Sequence, residues 1–134
     1  MNIENIRKTL LETDGFERHI GMEFFSTPEP DTCMARMHVD HRNRQPFGFL
    51  SGGATLALCE TLAGVASNAL CPEHKCVGMN VCGNHVHTAF DGETVTAIAH
   101  LVHKGKKTHV WRVVVTNEEG KLISEVTVTN YVLD

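Results

Sequence analysis

The sequence predicts an α+β fold in which a strongly curved antiparallel sheet wraps one long central helix, with a short helix at the N-terminus. Two observations predict it. Residues 51–70 (SGGATLALCETLAGVASNAL) are apolar, small or weakly polar on every side except at Glu60, the only charged residue of the stretch. A helix apolar on nearly all sides needs cover on nearly all sides. Residues 76–133 supply that cover: four strand-like runs separated by turn clusters at Phe90-Asp91-Gly92-Glu93, Lys104-Gly105-Lys106 and Asn117-Glu118-Glu119-Gly120. Strands at such regular spacing, joined by hairpin turns, form an antiparallel sheet.

Each element has its own signal. Ile3, Ile6, Leu10 and Thr13 fall on one stripe, which predicts a short amphipathic helix over residues 3–13. Met22 to Ser26 reads as a short strand, and Pro28, Pro30 and Asp31 mark the turn after it. Cys33, Ala35, Met37 and Val39 alternate with Met34, Arg36 and His38, the pattern of a half-buried strand. Residues 40–50 (DHRNRQPFGFL) form an irregular loop with Pro46 and Gly48, and the long helix stops near Cys71-Pro72. Cys76 to Thr88 is one long strand-like run. Val95, Ala97, Ala99 and Leu101 alternate, Val110 to Thr116 is rich in valine, and Leu122 to Leu133 closes the sheet.

A chain of 134 residues is long enough for one well-buried core, and no linker or repeat divides it, so a single domain spans 1–134. A charged fraction of 21% and a hydrophobic fraction of 42% fit a soluble globular protein, and a net charge of −4 argues against a nucleic-acid partner. The 51–70 stretch approaches membrane-spanning length, but Glu60, three glycines and five Ser, Thr or Asn residues favour a buried helix, so no membrane partner is expected. The N-terminal segment lacks the apolar core of a signal peptide. Five cysteines at 33, 59, 71, 76 and 82 are an odd number in no dense framework, which favours free thiols and a cytoplasmic location. The spacing of Cys71, His74, Cys76, Cys82 and His85 matches no compact zinc pattern, so no metal is expected. Trp111 and Phe90 read as core aromatics.

The central segment carries the chemistry. Ser51 can cap a helix start, and Gly52 and Gly53 follow with backbone N–H groups that no Cβ obstructs. Such groups are unsatisfied and sit at the positive end of the helix dipole, so they suit an anionic oxygen. Eight positions on, Glu60 is a carboxylate in apolar surroundings, costly to bury without a function or a partner. The plainer reading of Glu60 is a helix-surface or interface carboxylate paired with Lys or Arg.

The block Gln45-Pro46-Phe47-Gly48-Phe49-Leu50-Ser51-Gly52-Gly53-Ala54, followed by Glu60, Gly78, Asn84-His85, Gly105 and Trp111, resembles the hotdog-fold acyl-CoA thioesterases whose catalytic carboxylate sits on the central helix. That branch includes the phenylacetate-pathway, 4-hydroxybenzoyl-CoA and 1,4-dihydroxy-2-naphthoyl-CoA hydrolases, and the likeness runs from about Gly21 to Leu133. The resemblance implies hydrolysis of an aromatic or medium-sized acyl-CoA, with coenzyme A as part of the substrate and no other cofactor. It implies Glu60 as nucleophile or general base, the Gly52 N–H as oxyanion donor beside Gly53, and Gln45 orienting the carbonyl or a water. Ser51 stands where the family's usual pattern has His, and Gly64 where a Ser or Thr commonly lies one turn after the Glu; Ser67, two turns on from Glu60, is the candidate to compensate. The coenzyme A site maps to Gly78, His85, Val86, His87 and Thr88, and to the basic turn His103-Lys104-Gly105-Lys106-Lys107-Thr108. A solvated turn is the plainer reading of those lysines.

Eight residues on one helix separate Gly52 from Glu60 by roughly 12 Å along the axis, too far for one carbonyl to touch both. If both act on one substrate, two antiparallel helices from two subunits bring them together. The enzyme is then at least a homodimer, and the resemblance implies a homotetramer, a dimer of dimers. Two alternatives remain: a non-catalytic acyl-CoA-binding domain, and a hotdog dehydratase or hydratase, for which the loop offers Ser51 where the chemistry wants His.

Overall fold

The computed structural model describes residues 1–134. Helix α1 spans Glu4–Glu12 and α2 spans Phe16–Ile20; strands β1 (Met22–Phe25) and β2 (Thr32–His38) follow, then the central helix α3 (Gly52–Leu70). Strands β3 (Cys76–His85), β4 (Thr94–Lys104), β5 (Thr108–Thr116) and β6 (Leu122–Val132) complete the chain. All six strands form one antiparallel sheet in the order β1-β2-β4-β5-β6-β3.

Two features depart from the sequence reading. The short α2 was not anticipated: its five residues are too few to show a stripe, and its marks are the extended Gly15 before it and Gly21 after it at φ 89°, a left-handed cap that glycine adopts at little cost. The second is the pairing of β3. The turn cluster after it suggests a hairpin with β4, but β3 pairs with β6 at the far edge of the sheet. The connection is not a tight turn. The run predicted to reach Thr88 leaves the sheet after His85, and the following segment pairs with the 44–50 loop, where the Leu50 N–H donates to Ala89 O (2.9 Å) and Phe49 bridges Phe90.

The core forms between α3 and the inner face of the sheet. Leu58, Cys59, Leu62, Ala63 and Ala66 of the helix are buried against Ala35 and Met37 of β2, Ala97 and Ala99 of β4, Val113 and Val115 of β5, and Val126 and Val128 of β6. The small alanines facing the helix let it approach the sheet closely, and each fully buried Val or Leu contributes about 1.5–3 kcal/mol. One side of α3 stays less covered: Gly53, Leu56, Ala57, Glu60, Gly64 and Asn68, three to four residues apart, are half-buried or exposed. Strand β3 runs beside this stripe, and Asn68 fastens its start by accepting from the Cys76 N–H (3.0 Å) and donating to Cys76 O (3.0 Å).

Ser67 is enclosed beneath α3. Trp111 Nε1 donates to its Oγ at 2.8 Å, Asn130 Nδ2 donates at 2.8 Å, and His109 Nδ1 lies at 3.1 Å. With two donors on the oxygen, the hydroxyl proton is left for His109 Nδ1. The residue is fully buried in this network, so the hydroxyl expected to serve the site two turns from Glu60 instead points into the core. Ser67→Ala leaves three buried groups short of a partner. A loss of roughly 3 kcal/mol and a fall in Tm on the order of 10 °C are expected by calorimetry.

His109 also gives the fold a pH dependence. Burial first, then the nearby Lys104 and His103, push its imidazole below the usual histidine range. A histidine held neutral in the folded state contributes stability that is complete above its unfolded pKa of about 6.5 and is lost as pH falls from there through the lowered folded value. The urea midpoint is expected to drop from about pH 7.5 to about pH 5.5, and less steeply in His109→Gln. Equal slopes for the two proteins would show that His109 carries none of the effect.

Candidate active site

The loop from Val39 to Ser51 is held by a residue the sequence reading passed over. Asn43 is buried; its Nδ2 donates to Ile20 O (2.9 Å) and His38 O (2.8 Å), its Oδ1 accepts from the Asp40 N–H (3.1 Å), and its carbonyl accepts from the Ser51 N–H (2.9 Å). The only sequence sign was an Asn inside a polar loop, where such side chains bond the backbone nearby. Asp40, held well below the usual carboxylate range chiefly by its hydrogen bonds from Arg42, makes a 2.8 Å ion pair that braces the same loop. From this base the chain turns at Gln45–Gly48, where the Gly48 N–H donates to Gln45 O (3.0 Å) and Gly48 takes φ 88°. The Gln45 side-chain oxygen accepts from the Phe47 N–H.

Ser51 caps α3 as expected, its Oγ accepting from the Ala54 N–H at 3.4 Å. The Gly52 and Gly53 N–H groups begin the helix and have no carbonyl four residues back within it. His85, at the end of β3, lies over this helix start: a Cβ added to Gly52 would stand 2.8 Å from His85 Nε2. Glycine at 52 is therefore what lets the imidazole approach the backbone. Gln45, Gly52, His85, Val86, His87 and Thr88 line one cleft of about 280 Å³, together with Phe49, Leu50, Thr55, Ala89, Ile123 and Ser124. That is near the lower limit for a small-molecule site. Phe90, expected in the core, sits nearby and is half exposed, edge-on to Phe49 at 5.4 Å.

Glu60 lies outside this cleft, two turns along α3, against β3. A Cβ at Gly78 would fall 2.3 Å from Glu60 Oε1, so the bare Gly78 backbone makes room for the carboxylate. Glu60 is half-buried and enters no ion pair within the chain, so the paired-carboxylate reading has no partner here. One turn on, a Cβ at Gly64 would meet nothing within 4 Å, which leaves open space beside the carboxylate. The neighbouring Cys59 is no rival nucleophile: burial pushes its thiol up to about 12.

The basic turn is at the other end. Lys104, Gly105 and Lys106 border a shallow depression with Cys71, Glu73, His74 and His109, beyond the C-terminus of α3. His103 packs beside Gly105, and the Gly105 N–H donates to Thr108 O (2.8 Å). Lys107 is paired with Asp134, so its charge is already partnered. One chain thus brings Gln45, Gly52 and His85–Thr88 together and leaves Glu60, Gly64 and Gly78 in a second group and the lysines in a third. Ser124 joins the cleft without having been anticipated, because a strand serine near the last turn carries no signal of its own.

A curved antiparallel sheet around one helix, with a cleft at the helix start, is the hotdog architecture. The chain belongs to the Thioesterase superfamily, whose profile matches residues 47–124, and it is a thioester hydrolase. It is 38% identical over 105 residues to the 1,4-dihydroxy-2-naphthoyl-CoA hydrolase of Escherichia coli (77% of this chain, 76% of the relative). It is 33% identical over 122 residues to the proofreading thioesterase EntH of Cronobacter turicensis (90% and 86%). Among solved structures it is similar to the thioesterase HI1161 of Haemophilus influenzae, with a TM-score of 0.88 and 34% identity over 100% of this chain and 92% of that one. No helix is long and apolar enough to cross a membrane.

Proposed function

We propose that the chain hydrolyses an acyl-CoA with an aromatic or medium-sized acyl group, giving the free acid and coenzyme A, at sites shared between two copies of the chain. One observation carries this reading: the oxyanion-type cleft and the unpaired Glu60 lie on one helix, yet too far apart to serve one thioester within a chain. Apposing two α3 helices antiparallel sets the Gly52 end of one copy against Glu60 of the other. The same apposition brings the lysine-bearing end of one copy towards the cleft of its partner, where cationic side chains suit the coenzyme A phosphates.

The open edge of β3 supports the pairing. Its ten residues sit at the sheet margin with Val77 and Met79 exposed, and an unpaired apolar edge strand is normally covered. Further association of two dimers into a tetramer rests on the family resemblance. Five free thiols suit a reducing, cytoplasmic setting.

In the reaction the Gly52 N–H receives the charge that develops on the thioester oxygen, and Gln45 orients the carbonyl or a water. Glu60 of the partner copy either attacks the carbonyl carbon, expelling the thiolate and leaving an anhydride for water to open, or takes a proton from water as it attacks. Neither route needs a cofactor beyond the substrate's own coenzyme A. The aromatic preference draws on the named substrate of the Escherichia coli relative. In a Staphylococcus aureus thioesterase that resembles this chain, a glutamine and a glutamate were each replaced by alanine, at positions fifteen residues apart, as Gln45 and Glu60 are.

Thiol release from a panel of aromatic and aliphatic acyl-CoAs tests the substrate class, and sedimentation under assay conditions tests the assembly. Turnover with aromatic or medium-chain thioesters by a dimer or larger species is expected. A fully active monomer, or turnover confined to long aliphatic chains, overturns the corresponding part.

A further inference from the structure

We infer that Ser124 is a positioning residue for the reaction: it fixes His85 in the tautomer that aims an Nε2–H donor at the start of α3, beside the free Gly52 N–H. The inference rests on the oxyanion role proposed for Gly52.

Three observations converge on it. Ser124 is fully buried on β6, opposite His85 in the β3–β6 register. Its Oγ lies 2.7 Å from His85 Nδ1, and this is the one side-chain hydrogen bond the hydroxyl makes. The other ring nitrogen of His85 faces Gly52: of the ring atoms near the position of a Gly52 Cβ, Nε2 is the nearest at 2.8 Å, Cδ2 follows at 2.9 Å and Cε1 is at 3.7 Å. The imidazole is therefore held at one nitrogen by the core and presents the other to the cleft.

Hydrogen-bond accounting then selects the tautomer. If Nδ1 carried the proton, it would donate to Ser124 Oγ and the buried serine proton would be left without an acceptor, which is unfavourable. If Ser124 donates to a bare Nδ1, the hydroxyl is satisfied and the imidazole proton sits on Nε2. The cleft then holds two converging donors, the imidazole Nε2–H and the backbone N–H of Gly52, as an oxyanion requires. The opposite tautomer would set a lone pair against the developing negative charge. Ser51 supplies no imidazole at the helix start, and His85 delivers one from across the cleft. Ser124 itself touches no reacting atom.

The test is to read the His85 tautomer by nitrogen-15 NMR in wild type and in Ser124→Ala, and to measure kcat and KM for both and for Ser124→Thr. A bare Nδ1 and a protonated Nε2 are expected in wild type, and a mixture of tautomers in Ser124→Ala. In Ser124→Ala kcat falls about tenfold with KM within about twofold, short of the 10²–10³-fold loss when a donor is removed outright. Ser124→Thr, which keeps the hydroxyl, recovers most of the rate. A wild-type His85 protonated on Nδ1, a tautomer unmoved by Ser124→Ala, or an unchanged kcat each overturns the inference, and the NMR reading holds even if the threonine variant does not fold. Failure of the functional reading looks different: Glu60→Gln then turns over normally, while the His85 tautomer still answers to Ser124.

Discussion

Replacing Glu60 with Gln lowers kcat for acyl-CoA hydrolysis by about 10²–10⁴-fold, the range expected when a positioned acid–base group is removed. The change keeps size and hydrogen-bonding capacity and deletes only the negative charge. Glu60 has no cationic partner within the chain whose loss could confuse the result. The affinity for coenzyme A, measured by calorimetry, stays nearly unchanged, because glutamine keeps the shape of the side chain and the loss falls on the chemical step. A variant with wild-type kcat would remove Glu60 from the mechanism.

Gly78→Ala gives the second large effect. The backbone at Gly78 does not take a positive φ, so alanine is conformationally acceptable there. Its Cβ, however, would stand 2.3 Å from Glu60 Oε1, 2.9 Å from Cδ and 3.0 Å from Cγ. The contact is with the far end of a flexible side chain, so the fold survives and the carboxylate is displaced. Moving a catalytic group by about 1 Å can cost on the order of 10²-fold in rate, and a loss of that size in kcat is expected. Urea unfolding should show a stability within about 1 kcal/mol of wild type. A large loss of stability would show that β3 itself had shifted; unchanged activity would show that Glu60 does not depend on this niche.

Much of the fold was legible because its signals are local. The apolar segment around Glu60 gave α3 with its cap at Ser51, and the alternations Cys33-Ala35-Met37-Val39 and Val95-Ala97-Ala99 are buried on the inner face as expected. What was not legible depends on long-range partners. Nothing in Cys76–His85 distinguishes pairing with the next strand from pairing with the last, so the place of β3 at the far edge had to come from three dimensions. The same holds for Ser67. Its spacing from Glu60 suggested a site hydroxyl, but Trp111, His109 and Asn130, all far away in sequence, enclose it in the core.

The site divides in the same way. Gln45 and Gly52 were expected at the oxyanion and His85–Thr88 on the coenzyme A side with Gly78 and the basic turn; of these, Gln45, Gly52 and His85–Thr88 share one cleft, and Gly78 and the lysines lie apart from it. Asn43, whose several hydrogen bonds anchor the loop, and Ser124, which holds His85, gave little sign because the partners that define their roles meet only on folding. The separation of Glu60 from Gly52 was readable from helix rise alone. That distance is the basis for a shared site.

Subunit complementation tests the shared site most directly. One variant, Glu60→Gln, lacks the carboxylate; the other, Gln45→Ala with His85→Ala, lacks the cleft-side groups, and each alone is nearly inactive. The two are co-expressed with different tags, and the mixed dimer is purified and assayed for thiol release. If Glu60 acts across the interface, one of the two sites in a mixed dimer is intact, and about half the wild-type activity returns. If Glu60 and the cleft of the same chain act together, every site in the mixed dimer carries a defect. Activity no higher than that of either parent would contradict the shared site.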